Sequence, residues 1–460
     1  MKNLTIQNIA KACQGKLYGE ELINDASMEA AGVVLDSRLV QENYVFIATR
    51  GEKVNGHKFI PQVFEKGAMA VICEEMQEDP KGPYILVEDS FQALKDLATF
   101  YRQQLDLKVI GITGSVGKTS TKEFIAGVLS AKYKVWKTQG NFNNEVGLPL
   151  TVLQLREEHE IAVLEMGISD FGEMHRLSHI AQPDICVLTN IGQCHLEFLG
   201  DRDGVLKAKS EIFDYMKPDG AIFVNGDDDK LITLKETREE QVITFGRNKE
   251  NDVCAVAEIS KGLLGSIVEV QGRVNVTELQ VPLPGEHMVL NALAASAVAD
   301  LLGLTVEEMK EGMKEVRAVS GRSNIISLKD MVLIDDCYNA NPVSMKAAVD
   351  LLQEAEKRKV AVLGDMFELG EEEANFHFDV GEYAMEKVDV LICVGKLAKH
   401  MYEGAVSKQK EHQKLLYLET KEDIYTVFDE IIKPQDTLLL KASHGMGFAE
   451  IVTWLREKYN

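Results

Sequence analysis

The segment Gly111-Ile112-Thr113-Gly114-Ser115-Val116-Gly117-Lys118-Thr119-Ser120 constrains this chain more than any other. It follows the apolar run from Leu107 to Ile110 and leads into a helix-like stretch from Thr121 to Ala131. A strand, a glycine-rich turn and a helix are therefore predicted in direct succession. Such a turn aims backbone N–H groups and the positive end of the helix dipole at one spot, which suits an anion. Lys118 adds a point charge and Thr119 a hydroxyl for Mg²⁺. The loop from Thr113 through Gly114, Ser115, Val116 and Gly117 to Lys118 and Thr119 is expected to hold a nucleoside triphosphate. The usual phosphate loop asks for glycine at position 112, where this chain has Ile112, and the shortened form points to one branch of ATP users.

A chain of 460 residues predicts about three domains, and 45% apolar content suffices for ordinary cores. The net charge of −23 repels polyanions, and no concentrated basic patch offsets it, so nucleic acid is not an expected partner. An anionic small substrate would have to be met locally by Lys, Arg, helix N-termini and metal ions. Residues 1–8 have no signal-peptide apolar core, and no run of ~18 apolar residues occurs, so a cytoplasmic protein without membrane insertion is expected. The seven cysteines lack a CxxC pair and sit mostly in apolar runs, which argues against disulfides and structural zinc.

The predicted fold class is α/β in three domains. Residues 1–105 show short strands and a helix, a small α/β unit. Residues 106–318 alternate apolar strands with helical stretches, at Ile161 to Glu165, Ile185 to Thr189 and Ala221 to Asn225, which predicts a mostly parallel sheet with helices on both faces. Between Asp252 and Leu283 strands follow one another without helices, an antiparallel addition to that sheet. Residues 319–460 form a third βαβ series of Rossmann type without the dinucleotide fingerprint, so NAD is not expected. The run Glu371-Glu372-Glu373 reads as a solvated turn.

Ligands of doubly wound sheets sit at the carboxyl ends of strands, so polar residues ending apolar strands are the candidates. Glu165 ends one and suits a Mg²⁺ shared with Thr119, or else a buried carboxylate satisfied by a helix N-terminus. His195 follows the next strand and can ligate a metal, contact phosphate or be structural. Lys209 falls on the apolar face defined by Val205, Ala208, Ile212, Phe213 and Met216. Burial there yields a neutral amine able to take up carbon dioxide as a carbamate, an anionic metal ligand; the alternative is a lysine that snorkels to water. Asn141, Asn143 and Asn144 offer uncharged donors to a substrate, or serve a turn. Asp336 is read either as a ribose acceptor or as a helix cap.

Several motifs in order together resemble the Mur ligases, ATP-dependent amide-forming enzymes of peptidoglycan synthesis. They are Thr113 to Ser120, Gly140-Asn141-Phe142-Asn143-Asn144-Glu145-Val146-Gly147-Leu148-Pro149, Glu165-Met166-Gly167, His195-Leu196-Glu197, Lys207-Ala208-Lys209-Ser210-Glu211-Ile212-Phe213, Asn291-Ala292-Leu293-Ala294-Ala295, Asp336-Cys337-Tyr338-Asn339-Ala340-Asn341-Pro342 and Gly364-Asp365-Met366-Phe367-Glu368-Leu369-Gly370. The last two single out the type that adds D-alanyl-D-alanine to UDP-N-acetylmuramoyl-tripeptide. Signatures of the types that add a diamino acid, or join glutamate to folate, are missing.

The resemblance implies that the first domain binds the UDP end of the acceptor through Asp36-Ser37-Arg38 and Asn55-Gly56-His57, the central one ATP, and the last delivers the dipeptide. It implies two Mg²⁺ ions, one on Thr119 and Glu165, a second on His195 and carbamylated Lys209. Adenine contacts fall to His287 and Asn291, and further nucleotide contacts to Arg322, Asp336 and Asn339. Lys118, Glu165, His195 and Lys209 carry the chemistry, in a monomer. Two departures stand out: Met288 replaces the Asn that usually follows the family's Gly-x-His histidine, and Lys441-Ala442-Ser443-His444 ends in a titrating histidine where arginine is usual. Another Mur-type ligase with a different amine, or a non-catalytic ATP-binding homologue, are the competing readings.

Overall fold

The computed structural model describes residues 1–51, 54–238, 240–272 and 276–459. It holds three sheets, each with helices packed on it. In the first, Tyr84–Leu86, Ala70–Cys73, Tyr44–Ile47 and Gly32–Val34 run parallel, and Lys16–Tyr18 lies antiparallel at one edge.

The second sheet has nine strands. Its parallel part runs Val135–Lys137, Ile161–Glu165, Lys108–Thr113, Ile185–Leu188, Ala221–Asn225, Gln241–Gly246 and Val253–Ser260. Ser266–Gln271 and Val276–Val281 continue it antiparallel, as the helix-free stretch from Asp252 to Leu283 foretells. Alternate side chains serve two cores: Ala162 and Leu164 pack on one face, Ile161 and Val163 on the other. A strand buried on both faces must be apolar throughout, which is why these strands are unbroken apolar runs.

The third sheet is parallel through Met331–Asp335, Thr437–Lys441, Lys359–Gly364, Val390–Val394 and Lys414–Leu418. Asn324–Leu328 pairs antiparallel with Met331–Asp335, adding a hairpin to what the sequence presents as a plain βαβ series. This edge strand is mostly half-buried, so it lacks the solid apolar signature of its neighbours.

The cut at residue 105 falls inside a continuous core. The helix Ser90–Arg102 carries Leu94, Leu97 and Tyr101 into an apolar cluster shared with Leu148, Leu155 and Leu177 of the nine-stranded unit. Tyr101 Oη donates to Leu155 O at 2.7 Å, and the buried Arg102 guanidinium donates to the carbonyls of Ala181, Leu105 and Leu107. The stretch read as one helix through Met216 instead ends as an α-helix at Ser210 and tightens into a 3₁₀ turn, Glu211–Phe213. All seven cysteines are free and buried. Among the described residues no helix is long and apolar enough to cross a membrane.

Candidate active site

A cavity of about 610 Å³ opens where the carboxyl ends of the nine-stranded sheet face the third sheet. From the central unit it is lined by Ser115, Val116, Gly117, Lys118, Asn143, Asn144, Glu165, His195, His287 and Asn291, and from the third by Arg322, Asp336, Tyr338, Asn339 and Lys441.

The loop after Lys108–Thr113 is shaped by its glycines. Gly114 has φ +149°, and a Cβ there would sit 2.0 Å from Thr189 Oγ1; Gly117 has φ +83°, a region that L side chains avoid. Gly117 is the N-cap of the helix Lys118–Leu129. Ser115 N and Val116 N donate to Asn190 O and Oδ1, at 3.0 and 2.9 Å, so these two amides are committed to the protein. The first-turn amides of the helix, which have no intrahelical acceptor, are the ones left for an anion. Lys118 Nζ donates to Gly114 O at 2.8 Å and closes the loop. Thr113 is buried beneath, its Oγ1 without a hydrogen-bond partner among the described residues.

Glu165 is buried at its strand end. Oε2 accepts from Thr119 Oγ1 and Oε1 from Asn143 Nδ2, both at 2.8 Å. Asn143 therefore orients the carboxylate, and Asn144 Oδ1 accepts from Val146 N and Gly147 N, at 3.2 and 2.8 Å, in the turn that leads into the helix Gly147–Val152. Asn141 is exposed and lies off the cavity wall. Ser37 and Arg38 are also away from this cavity, on the loop after Gly32–Val34, where Arg38 pairs with Asp36 at 2.6 Å.

Lys209 is buried and Lys118 half-buried, and both ammonium groups are held below the usual lysine range by lost hydration. For Lys209 the charge of Lys118 adds to burial and brings its pKa to about 8. The His195 imidazole is likewise pushed down, first by burial and then by Lys209. The Lys118 ammonium and the His195 imidazole share the cavity wall with the Glu165 carboxylate, a place for anionic oxygen, while Lys209 is buried off that wall. Among the described residues no three His, Cys, Asp or Glu side chains converge as a ready-made metal cluster. Thr119 and Glu165 do form a hard-oxygen pair suited to Mg²⁺. Near Lys209, a cation would be repelled by the free ammonium and attracted by its carbamate, so a second ion fits only the modified side chain.

Opposite, the Arg322 guanidinium stacks on Tyr338 at 3.9 Å, and Asp336 accepts from Lys441 Nζ at 2.6 Å and Ser323 N at 2.9 Å. The helix-cap reading of Asp336 is overturned: Asn341 is the N-cap of Pro342–Gln353, in a capping box with Ser344. Asn339 lends its backbone carbonyl to Lys441 at 3.0 Å. His287 is half-buried, its Nε2 3.4 Å from Ser323 Oγ, and lost hydration lowers its pKa. Asn291 accepts from Thr121 Oγ1 at 2.8 Å and donates to Met288 Sδ at 3.4 Å, so the departing Met288 both supports Asn291 and lines the cavity beside it. Asn190 and Lys122 were not singled out from sequence, and Lys441 was noted only as the start of the motif that ends in His444, without a role of its own. Lys441 ends an apolar strand, the same signal that marks Glu165.

Three segments match family models: residues 29–102 the Mur ligase family catalytic domain, 112–299 the Mur ligase middle domain, and 321–444 the Mur ligase glutamate ligase domain. A UDP-N-acetylmuramoyl-tripeptide--D-alanyl-D-alanine ligase of Bacillus subtilis (strain 168) is 38% identical, with 98% of each chain covered. The chain belongs to the Mur ligase family. The ligase of the same name from Escherichia coli (strain K12) is 33% identical over 99% of both chains. Among solved Mur ligases, crystal structure I of MurF from Acinetobacter baumannii superposes with a TM-score of 0.89 at 32% identity, covering 99% of each chain. MurF ligase from Thermotoga maritima in complex with ADP gives 0.80 at 30% identity, covering 93% of this chain and 97% of that one. The three-sheet architecture is thus the Mur ligase fold.

Proposed function

We propose that this Mur ligase joins D-alanyl-D-alanine to UDP-N-acetylmuramoyl-tripeptide, with cleavage of ATP to ADP and phosphate, in cytoplasmic synthesis of the peptidoglycan precursor. The observation that carries the reading is the single cavity on which the phosphate-loop Lys118, Glu165 and His195 face Arg322, Asp336 and Lys441 of the third sheet. Full-length identity to ligases of that name supports the choice of substrates.

The γ-phosphoryl group passes to the terminal carboxylate of the tripeptide, giving an acyl phosphate and ADP; the dipeptide amine then attacks the acyl carbon and phosphate leaves. Lys118 and the first-turn amides from Gly117 to Thr119 hold the β- and γ-phosphates, while Thr113 to Val116 give the loop its shape. Thr119 and Glu165 would hold one Mg²⁺, His195 and carbamylated Lys209 a second. Bound there, Mg²⁺ supplies charge neutralisation between the γ-phosphate and the attacking carboxylate. His287 and Asn291 would contact adenine, and Arg322, Asp336 and Asn339 would close over the nucleotide, keeping water from the acyl phosphate. Ser37 and Arg38 bind the UDP end, and Asn144 offers its free amide to the peptide. The enzyme is read as a monomer.

Phosphate release tests this reading, using ATP, Mg²⁺, UDP-N-acetylmuramoyl-tripeptide and D-alanyl-D-alanine with each omitted in turn. Release should need the complete set, with a product heavier by one dipeptide residue. Release supported equally by a single amino acid would assign a different amine substrate, and none with any acceptor would leave a non-catalytic homologue.

A further inference from the structure

His195 and Glu368 meet across the boundary between the central and third units. His195 Nδ1 lies 2.9 Å from Glu368 Oε2. The atom is fully buried, and the carboxylate sits off its hydrogen-bonding direction, so Nδ1 has no aligned partner among the described residues. Both residues adopt the left-handed backbone region, φ +52° at His195 and +62° at Glu368, which costs a non-glycine residue free energy. Two strained residues from different units that meet side chain to side chain point to a selected contact.

The loop carrying Glu368 is anchored on either side. Met366 N donates to the buried His377 Nε2 at 2.9 Å and Phe367 N to Ser443 Oγ at 2.9 Å, while Leu369 is buried. Glu368 itself is about half exposed, with no packing role to hold it in place. On the other side, Cys194 is tied to Ser115 Oγ, and the His195 carbonyl accepts from Leu199 N, but neither contact fixes the imidazole ring.

We propose that Glu368 is a positioning residue for His195: a turn of the ring brings Nδ1–H onto the carboxylate already 2.9 Å away, which then holds Nε2 toward the cavity. The inference rests on the reading of His195 as a ligand of the second cation. Histidines that bind metals commonly donate their other N–H to a carboxylate, which fixes tautomer and ring orientation. Here that carboxylate comes from the third sheet's unit, so the central unit's ligand is oriented only when the third unit is docked. Assembly of the cation site is thereby tied to the placement of the unit assigned to the dipeptide.

The test is Mn²⁺ binding to the full-length protein with β,γ-methylene-ATP, followed by electron paramagnetic resonance. It compares wild type, Glu368→Ala, Glu368→Gln, His195→Ala and the Glu368→Ala/His195→Ala double variant. Glu368→Ala should weaken the second Mn²⁺ site about 10-fold or more. Glu368→Gln, which keeps an acceptor oxygen, should recover part of that loss, and Glu368→Ala should add nothing once His195 is gone. Glu368 is half exposed, so the melting temperature should stay near wild type; Glu368→Gln serves alone if the alanine variant does not fold. Loss of the site in His195→Ala with wild-type binding in both Glu368 variants would overturn the proposal and leave His195 as a ligand. Wild-type binding in His195→Ala would overturn the ligand reading and the proposal with it. An undiminished Glu368→Ala effect in the His195→Ala background would mean that Glu368 acts on the cation or the substrate directly, which also overturns it.

Discussion

Lys122 Nζ lies 2.8 Å from Thr138 O and 3.9 Å from Glu165 Oε2, buried beneath the phosphate-loop helix. Thr138 accepts twice, at its carbonyl from Lys122 and at Oγ1 from Glu165 N, the latter at 3.0 Å. Lys122 also pairs with Glu123 at 3.1 Å, and Glu123 has Lys137 as a second partner. Lys122→Met would therefore take one positive charge from two carboxylates, leaving Glu123 with Lys137 and Glu165 with the neutral donors Thr119 and Asn143.

Breaking a buried charge pair from one side costs roughly 3 kcal/mol or more. Lys122→Met should lower stability by about that amount in urea unfolding and lower the Mg²⁺ concentration needed for half-maximal rate, because Thr119 and Asn143 still hold the Glu165 carboxylate while a positive charge beside it is lost. A variant with wild-type stability and Mg²⁺ dependence would make the ammonium a bystander.

Lys209 combines burial with the neighbouring Lys118 charge, and its pKa of about 8 sits well below the ordinary lysine value. At pH 7 about a tenth of the amine is then neutral, where an ordinary lysine has fewer than about one in a thousand. Only the neutral amine adds carbon dioxide, giving a carbamate and a proton, so activity of protein stripped of carbon dioxide should rise on adding bicarbonate, and more steeply toward pH 8. Between pH 8 and the ordinary lysine value the unfolded chain binds more protons than the folded one, so the unmodified protein gains stability as pH rises there. Lys209→Met should abolish turnover and yet stabilise the fold by roughly 1–3 kcal/mol at pH 7, read as a higher Tm. Loss of both activity and stability would mean that the ammonium is satisfied in the fold.

The parallel strands and the phosphate loop were legible because burial on both faces leaves unbroken apolar runs, and a strand-end polar residue such as Glu165 stands out against them. Lys209 was legible from its helical spacing. What escaped depends on partners distant in sequence. Asp336 reads equally as a cap until Asn341 is seen holding Ser344, and its true partner, Lys441, is more than a hundred residues away. Asn143 looked like a free donor because nothing local shows that Glu165 receives its amide. The strand Asn324–Leu328 lies half-buried on a sheet edge, where the apolar pattern that marks central strands fades.

His377 lies inside the third unit, its Nδ1 on Glu373 O and its Nε2 accepting from Met366 N. Both contacts require the neutral ring with the proton on Nδ1, and burial holds its pKa below the usual histidine value. As pH falls below about 6.5 the unfolded chain takes up a proton that the folded ring refuses, so stability drops until the lowered folded pKa is reached. Urea midpoints at pH 7.5 and 5.5 should differ less in His377→Gln than in wild type. An unchanged difference would assign the acid sensitivity to other groups.

Gly114 is pressed against Thr189, whose hydroxyl donates to Val116 O at 2.6 Å and so braces the loop from below. Gly114→Ala brings two separate penalties: a methyl 2.0 Å from Thr189 Oγ1, and an alanine at φ +149°. Together they should displace the loop and weaken ATP binding by roughly 10- to 100-fold, the equivalent of about 1–3 kcal/mol of overpacking. Thr189→Ala removes the nearest atom but leaves its Cβ 3.1 Å from the new methyl, and the backbone strain is untouched. Nucleotide affinity by calorimetry in Gly114→Ala, Thr189→Ala and the double variant separates the two causes. Partial recovery in the double variant relative to Gly114→Ala is expected, since only the steric part is relieved. Full recovery would place the whole effect in the collision with Thr189, and no recovery would place it in the backbone conformation that glycine alone adopts at ease.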